Sequence, residues 1–194
     1  ESFRNDILPA YKSSRGLPPD DLEPQFELCA ELTRALGVRT YEQELYEADD
    51  LLATLATQLA SRVEQVVIVT SDKDLMQLVR EDGRIVLHDL AKGVTLDAEG
   101  VREKFGVSPD QIPDYLALVG DVVDDLPGVP GIGPRTAAAA LQAFGSIDHI
   151  PADPRAWEGV PVRSATRAPA AIAAHRAQAP QGRELATVER EVPG

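Results

Sequence analysis

With a single cysteine, Cys29, in 194 residues, the chain can form no internal disulfide, and the small disulfide-stapled class of folds is excluded. Cys29 falls beside Phe26, Leu32 and Thr33 on the apolar face of a helical repeat, so core packing is its expected role. Aromatic residues make up only 5% of the chain, which leaves aliphatic side chains to build the core. No apolar run approaches the roughly 20 residues of a membrane span, and no basic-then-apolar leader opens the chain. The expectation is a globular, cytoplasmic protein without a membrane partner. Basic charge is also short: 19 Lys and Arg stand against 32 Asp and Glu, a net charge of −13, which at first sight disfavours a polyanionic partner.

The distribution of charge reverses that inference. Residues 1–20 carry three charges of each sign and residues 127–194 carry seven Arg against six acids, whereas residues 21–126 hold 23 acids against nine Lys and Arg. The acid is concentrated centrally, where a metal site would use it, and the flanks stay compatible with nucleic acid.

What the sequence does contain is organised around residues 120–133, GDVVDDLPGVPGIG. Asp121 and Asp124 lie i, i+3, and one helical turn would aim both carboxylates at one point, where a hard divalent cation relieves their repulsion. Gly128, Gly131 and Gly133 then allow positive φ and close backbone approach, and a helix opening near Pro134 would turn unpaired N–H groups toward an anion. Metal beside phosphate is one reading. Solvated or capping acids followed by a tight helix-to-helix turn is the other.

Residues 1–19 hold Arg4, Tyr11, Lys12 and Arg15 among prolines that interrupt any long helix, a segment suited to a phosphate and a base face. Leu22, Phe26, Cys29, Leu32 and Leu36 recur at helical spacing until Gly37, predicting an amphipathic surface helix. A short extended piece, Val38 to Leu45, leads to a helix opened by Glu47, Asp49 and Asp50, where capping and metal ligation both account for three acids. The β-branched run Gln65–Thr70 reads as a buried strand of a parallel sheet. It delivers Asp72, Lys73 and Asp74 at its carboxyl end, where open α/β sheets place their ligands. A hairpin over residues 85–96, helices at 98–105 and 112–119, an alanine-rich helix at 135–144 and another near 168–178 complete the pattern. His88, His149 and His175 are scattered without ligand spacing.

The three acidic groups Glu47-Ala48-Asp49-Asp50, Ser71-Asp72-Lys73-Asp74 and Gly120-Asp121-Val122-Val123-Asp124-Asp125, followed by Leu126-Pro127-Gly128-Val129-Pro130-Gly131-Ile132-Gly133, resemble the 5′-nuclease family. That family includes the 5′–3′ exonuclease domain of bacterial DNA polymerase I and the flap endonucleases. The likeness runs from Phe3-Arg4 and Tyr11–Arg15, similar to the family's arch, to Arg183–Val188, similar to its closing helix and strand. It implies a PIN-like, resolvase-like parallel-sheet core over residues 1–119, with 1–19 as an arch-like basic segment. Over residues 120–194 it implies a helix–hairpin–helix DNA-binding region and C-terminal helices.

The resemblance further implies a metal-dependent 5′–3′ exonuclease and flap endonuclease, acting as a monomer on DNA with 5′ ends, nicks or flaps. Two Mg2+ or Mn2+ ions would be held among Glu47, Asp49, Asp50, Asp72, Asp74, Asp121 and Asp124, with K+ at the hairpin. Lys12 and Arg15 would serve catalysis. DNA contacts would fall to Arg4, Tyr11, Lys73, Gly128, Gly131, Ile132, Gly133, Arg135 and Thr136. Asp125 stands where the family usually has Asn, and the family's first strand with its Asp-Gly has no counterpart here, so an N-terminal portion is expected to be missing. The alternative is a catalytically impaired, structure-specific DNA-binding protein of the same fold.

Overall fold

The structure, a computed structural model, describes residues 2–162 and 166–193. Three strands, β1 (Val66–Val69), β2 (Ile85–Asp89) and β3 (Val94–Leu96), form one sheet in that order, with β1 and β2 parallel and β2 and β3 antiparallel. Around it lie α1 (Arg4–Ile7), α2 (Glu23–Ala35), α3 (Ala48–Leu59), α4 (Ala98–Phe105), α5 (Ile112–Val119), α6 (Pro134–Phe144), α7 (Ala168–Ala174) and α8 (Ala179–Ala186). No helix among the described residues is long and apolar enough to cross a membrane.

Local chemistry explains most boundaries. Asp97 caps α4 by accepting the Gly100 N–H, and Gly106 ends it in the left-handed region at φ 72. Ser108 and Gln111 form a reciprocal capping box ahead of α5. The aliphatic core joins β2, α4, α5 and α6 through Leu87, Val101, Ile112, Leu118, Ala140 and Leu141. Trp157 is sealed against Phe144 and donates its indole N–H to the Pro151 carbonyl.

Two expectations are corrected. The run over residues 65–70 is not buried on both faces: β1 is an edge strand, Ile68 alone is buried, and Val67 and Val69 stand 49% and 61% exposed. Cys29 is exposed, because α2 buries none of its residues against the rest of the protein. A short N-terminal helix forms at Arg4–Ile7, ahead of Lys12, which takes φ 55 in the turns that follow.

Candidate metal and phosphate site

Two chain reversals bring distant acids together. At the end of β1, Asp72 accepts the Asp74 N–H at 3.0 Å, and the 3-10 turn Asp74–Leu78 that follows is anchored by buried Leu75 and Met76. At the end of α5, Gly120 reverses the chain at φ 82, and paired backbone bonds between Asp121 and Leu126, at 3.0 and 2.8 Å, close a tight loop. One oxygen from each of Asp74, Asp121 and Asp124 then lies within 4.8 Å of the others. The second reversal also answers the sequence geometry: Asp121 and Asp124 converge across a closed loop rather than along one helical turn.

Water cannot fully solvate these groups, since Asp121 and Asp124 are 8% and 6% exposed. Burial, only partly offset by Lys73 and reinforced by the charges of Asp72, Asp124 and Asp121, pushes the Asp74 carboxyl up to about 7. Its Oδ1 is buried with no hydrogen-bond partner. The Lys73 ammonium stands 3.6 Å from that oxygen, too far for a hydrogen bond, and a buried oxygen left without one among crowded carboxylates fits a hard cation, which takes oxygen donors at short range.

The remaining expected ligands divide. Asp49 is raised by burial and then by the charge of Asp72, which places these two acids within electrostatic reach of each other. Glu47 caps α3, and its carboxylate meets the Lys12 ammonium. Asp50 is turned away from the cluster, contrary to its expected role as a ligand. Its oxygens accept Arg4 Nη1 and Nη2 at 2.8 and 2.7 Å and the Glu47 and Glu189 N–H groups at 3.0 and 2.8 Å. Burial alone would raise its pKa; the Arg4 contact together with the Glu189 and Glu47 N–H groups outweighs that and holds the carboxyl below its ordinary value.

Basic residues surround the acids. Lys73 Nζ lies 2.5 Å from Asp121 Oδ2, Arg15 Nη2 lies 2.5 Å from Asp124 Oδ1, and Lys12 Nζ is 4.0 Å from Asp124. A cleft of about 550 Å³ opens beside them, lined by Asn5, Tyr11, Lys12, Ser13, Arg15, Tyr46 and Glu47. Asp125 sits at φ 54 and accepts the Ser14 N–H at 2.8 Å, so its charge serves the basic segment instead of crowding the cluster.

Two expected DNA contacts are corrected by burial. Arg4 is 3% exposed and spends its guanidinium on Asp50 and on the Leu185 and Thr187 carbonyls. Tyr11 is 5% exposed, and burial followed by the charges of Glu47 and Asp124 drives its hydroxyl well above the ordinary range. In the hairpin, Gly131 at φ 83, Gly133 and Arg135 are exposed, and nothing lies within 4 Å of a Cβ placed at either glycine. Ile132 buries its side chain and donates its N–H to Val129, and Thr136 donates its N–H to Gly133. Gly128, also an expected DNA contact, is corrected as well: it faces inward, against Gly120.

Sequence reasoning passed over Gln77. Buried at 3%, it donates to the Asp74 and Ala186 carbonyls and accepts the Val188 N–H, tying the Asp74 turn to the C-terminal segment. The one signal was an amide inside the apolar run Leu75–Val79.

Residues 1–106 match the 5′–3′ exonuclease N-terminal resolvase-like domain, and residues 107–194 match the 5′–3′ exonuclease C-terminal SAM fold. DNA polymerase I of Pseudomonas aeruginosa is 42% identical over 98% of this chain and 21% of its own length. DNA polymerase I of Bacillus caldotenax is 36% identical over 99% of this chain and 21% of its own. The chain therefore spans about a fifth of the length of these curated relatives. The fold is shared with a phage T5 5′-exonuclease bound to zinc, at a TM-score of 0.78 and 21% identity over 96% of this chain and 70% of that one. It is shared also with a T5 flap endonuclease in a pseudo-enzyme–product complex with DNA and metal ions, at 0.75 and 20% over 96% and 70%.

Proposed function

The chain belongs to the 5′–3′ exonuclease family, and from that premise we propose that it hydrolyses DNA phosphodiesters at 5′ ends, nicks and flaps as a metal-dependent, monomeric 5′ nuclease of the cytoplasm. One observation carries the reading: Asp74, Asp121 and Asp124 converge within 4.8 Å, and among them a buried carboxylate oxygen of Asp74 has no hydrogen-bond partner, only the Lys73 ammonium at 3.6 Å. These three would hold Mg2+ or Mn2+, with Asp49, Asp72 and Glu47 beside them for a second ion. Bound divalent ions supply a water of lowered pKa and neutralise charge on the phosphate.

The chain's own residues bind and orient the substrate. Lys12 and Arg15 line the cleft as cations, placed to meet the oxygens of a phosphate and to stabilise the charge that develops on them. Lys73, paired with Asp121, is a third cation beside the acids. The exposed glycines of the hairpin and Arg135 would hold the duplex by its backbone, with K+ as a further ligand of that turn. In this reading residues 1–119 form the nuclease core and residues 120–194 the DNA-holding part.

Calorimetry with Mn2+ on the wild type and on an Asp74→Asn/Asp121→Asn variant is the test, alongside cleavage of a 5′-flap substrate. Binding is expected in the wild type and lost in the variant. Equal binding by both overturns the metal reading. Tight flap binding with metal bound and no cleavage would instead favour the DNA-binding protein.

A further inference from the structure

The loop that carries Asp121 and Asp124 is closed at a neck where two backbones touch. Gly120 lies on one side and Gly128 on the other. A Cβ added at Gly128 would sit 2.4 Å from the Val119 carbonyl carbon and oxygen and 2.5 Å from the Gly120 nitrogen. A Cβ at Gly120 would sit 2.5 Å from the Gly128 nitrogen and 2.8 Å from the Leu126 oxygen, and Gly120 holds φ 82 besides. Side-chain carbons do not approach backbone atoms so closely, so only glycine allows this crossing.

Backbone bonds lock the neck on both sides, Asp121 with Leu126 inside the loop and the Val129 N–H to the Leu118 carbonyl, at 2.8 Å, outside it. Leu126, Val129 and Leu118 are each buried at 6% or less. The acids lie on one side of this rigid crossing. On the other, within six residues of Gly128, come the open turn at Gly131 and Gly133 and the start of α6. The glycines of the stretch therefore have separate tasks: Gly131 and Gly133 face outward with room for a ligand, whereas Gly128 has none.

Resting on the proposed nuclease reading, we infer that Gly120 and Gly128 are positioning residues whose contact sets the distance between the turn that holds duplex DNA and the carboxylates that hold metal. That contact selects which phosphodiester along the bound strand lies at the metals. Gly128 itself touches no DNA.

The test maps metal position against DNA without relying on enzyme turnover. Fe2+ bound at the acids, with ascorbate and peroxide, releases radicals that break the nearest nucleotides of a bound 5′-flap substrate. In the wild type the breaks should fall in one narrow window. In Gly128→Ala the window should spread or move by about two nucleotides while duplex affinity stays within roughly threefold. In Gly131→Ala the reverse is expected, weaker duplex binding with the window in place. Leu126→Ala, which loosens the neck without a clash, keeps the test valid if Gly128→Ala fails to fold, and it should also spread the window.

An unchanged window in Leu126→Ala and Gly128→Ala overturns the inference. So does an affinity loss in Gly128→Ala that matches Gly131→Ala with the window unmoved, since Gly128 would then be a DNA contact. A wild type that binds the flap but gives no localised breaks overturns the metal reading, and this inference with it.

Discussion

Asp74 is held against its own electrostatics. Its carboxyl is pushed up to about 7 by burial, so folding favours the protonated form over the unfolded chain's ordinary acid. The stabilisation that follows is complete below the unfolded pKa, near 4, and is lost as pH rises through 7. Asp74→Asn should therefore raise the unfolding free energy in chelator at pH 8 by about 1–3 kcal/mol, read as a higher melting temperature, and should do little at pH 4. Mg2+ should reverse the ranking at pH 8, because it stabilises only the chain that binds it. Equal shifts at both pH values would contradict the account. Asp50 predicts the opposite pattern. Its pair with Arg4 is buried at both ends, and removing one partner of such a pair typically costs about 3–5 kcal/mol. Asp50→Asn should lower the melting temperature by similar amounts in chelator and in Mg2+, while the folded variant keeps its Mn2+ affinity. A selective loss of metal affinity at unchanged stability would make Asp50 a ligand after all.

Among the elements, α2 is the exception to the rule that tertiary packing holds helices in place. Its 13 residues bury nothing, and Phe26, Leu28 and Leu32 remain 56–61% exposed. Phe26→Ser or Leu32→Ser should change global stability by less than about 0.5 kcal/mol, the range of surface substitutions. Native Cys29 should react with a maleimide at a rate within about tenfold of an unstructured thiol peptide. Strong protection of that thiol would show a covered face. The 3-10 turn Asp74–Leu78 is the contrasting case, short but pinned by four consecutive buried side chains from Leu75 to Leu78.

At the scale of the whole molecule, the two ends of the chain meet behind the acids. Arg4 reaches the Leu185 and Thr187 carbonyls, Asp50 accepts the Glu189 N–H, Gln77 bridges Ala186 and Val188, and the Thr54 hydroxyl accepts the Val192 N–H. Residues 185–192 thus strap the N-terminal helix to α3 and to the turn bearing Asp74. Gln77→Ala removes the middle of that strap and leaves buried backbone groups unpaired, at about 1–3 kcal/mol. Hydrogen exchange at the Val188 amide should accelerate while amides of β2 keep their protection. Uniform acceleration would mean that the segment opens only with the whole fold.

The chain by itself determined the kinds of element, their order and the chemistry of the site. Helix starts and stops are written in short-range signals such as Asp97, Ser108 and Gly106, whereas the spacing of the acids at the ends of β1 and α5 left metal ligation and capping both open. Periodicity also marked the apolar stripe of α2, but not whether anything covers it. Which of seven acids converge, and which one turns inward to an arginine, depended on partners up to 139 residues away, as Arg4 and Glu189 show at Asp50. The same holds for three glycines that look alike in sequence: close approach of a second backbone separates Gly128 from Gly131, and that approach exists only once the loop has closed. Spacing along a chain reports local geometry, whereas burial and hydrogen-bond partnership are properties of surfaces that meet only when the chain has folded.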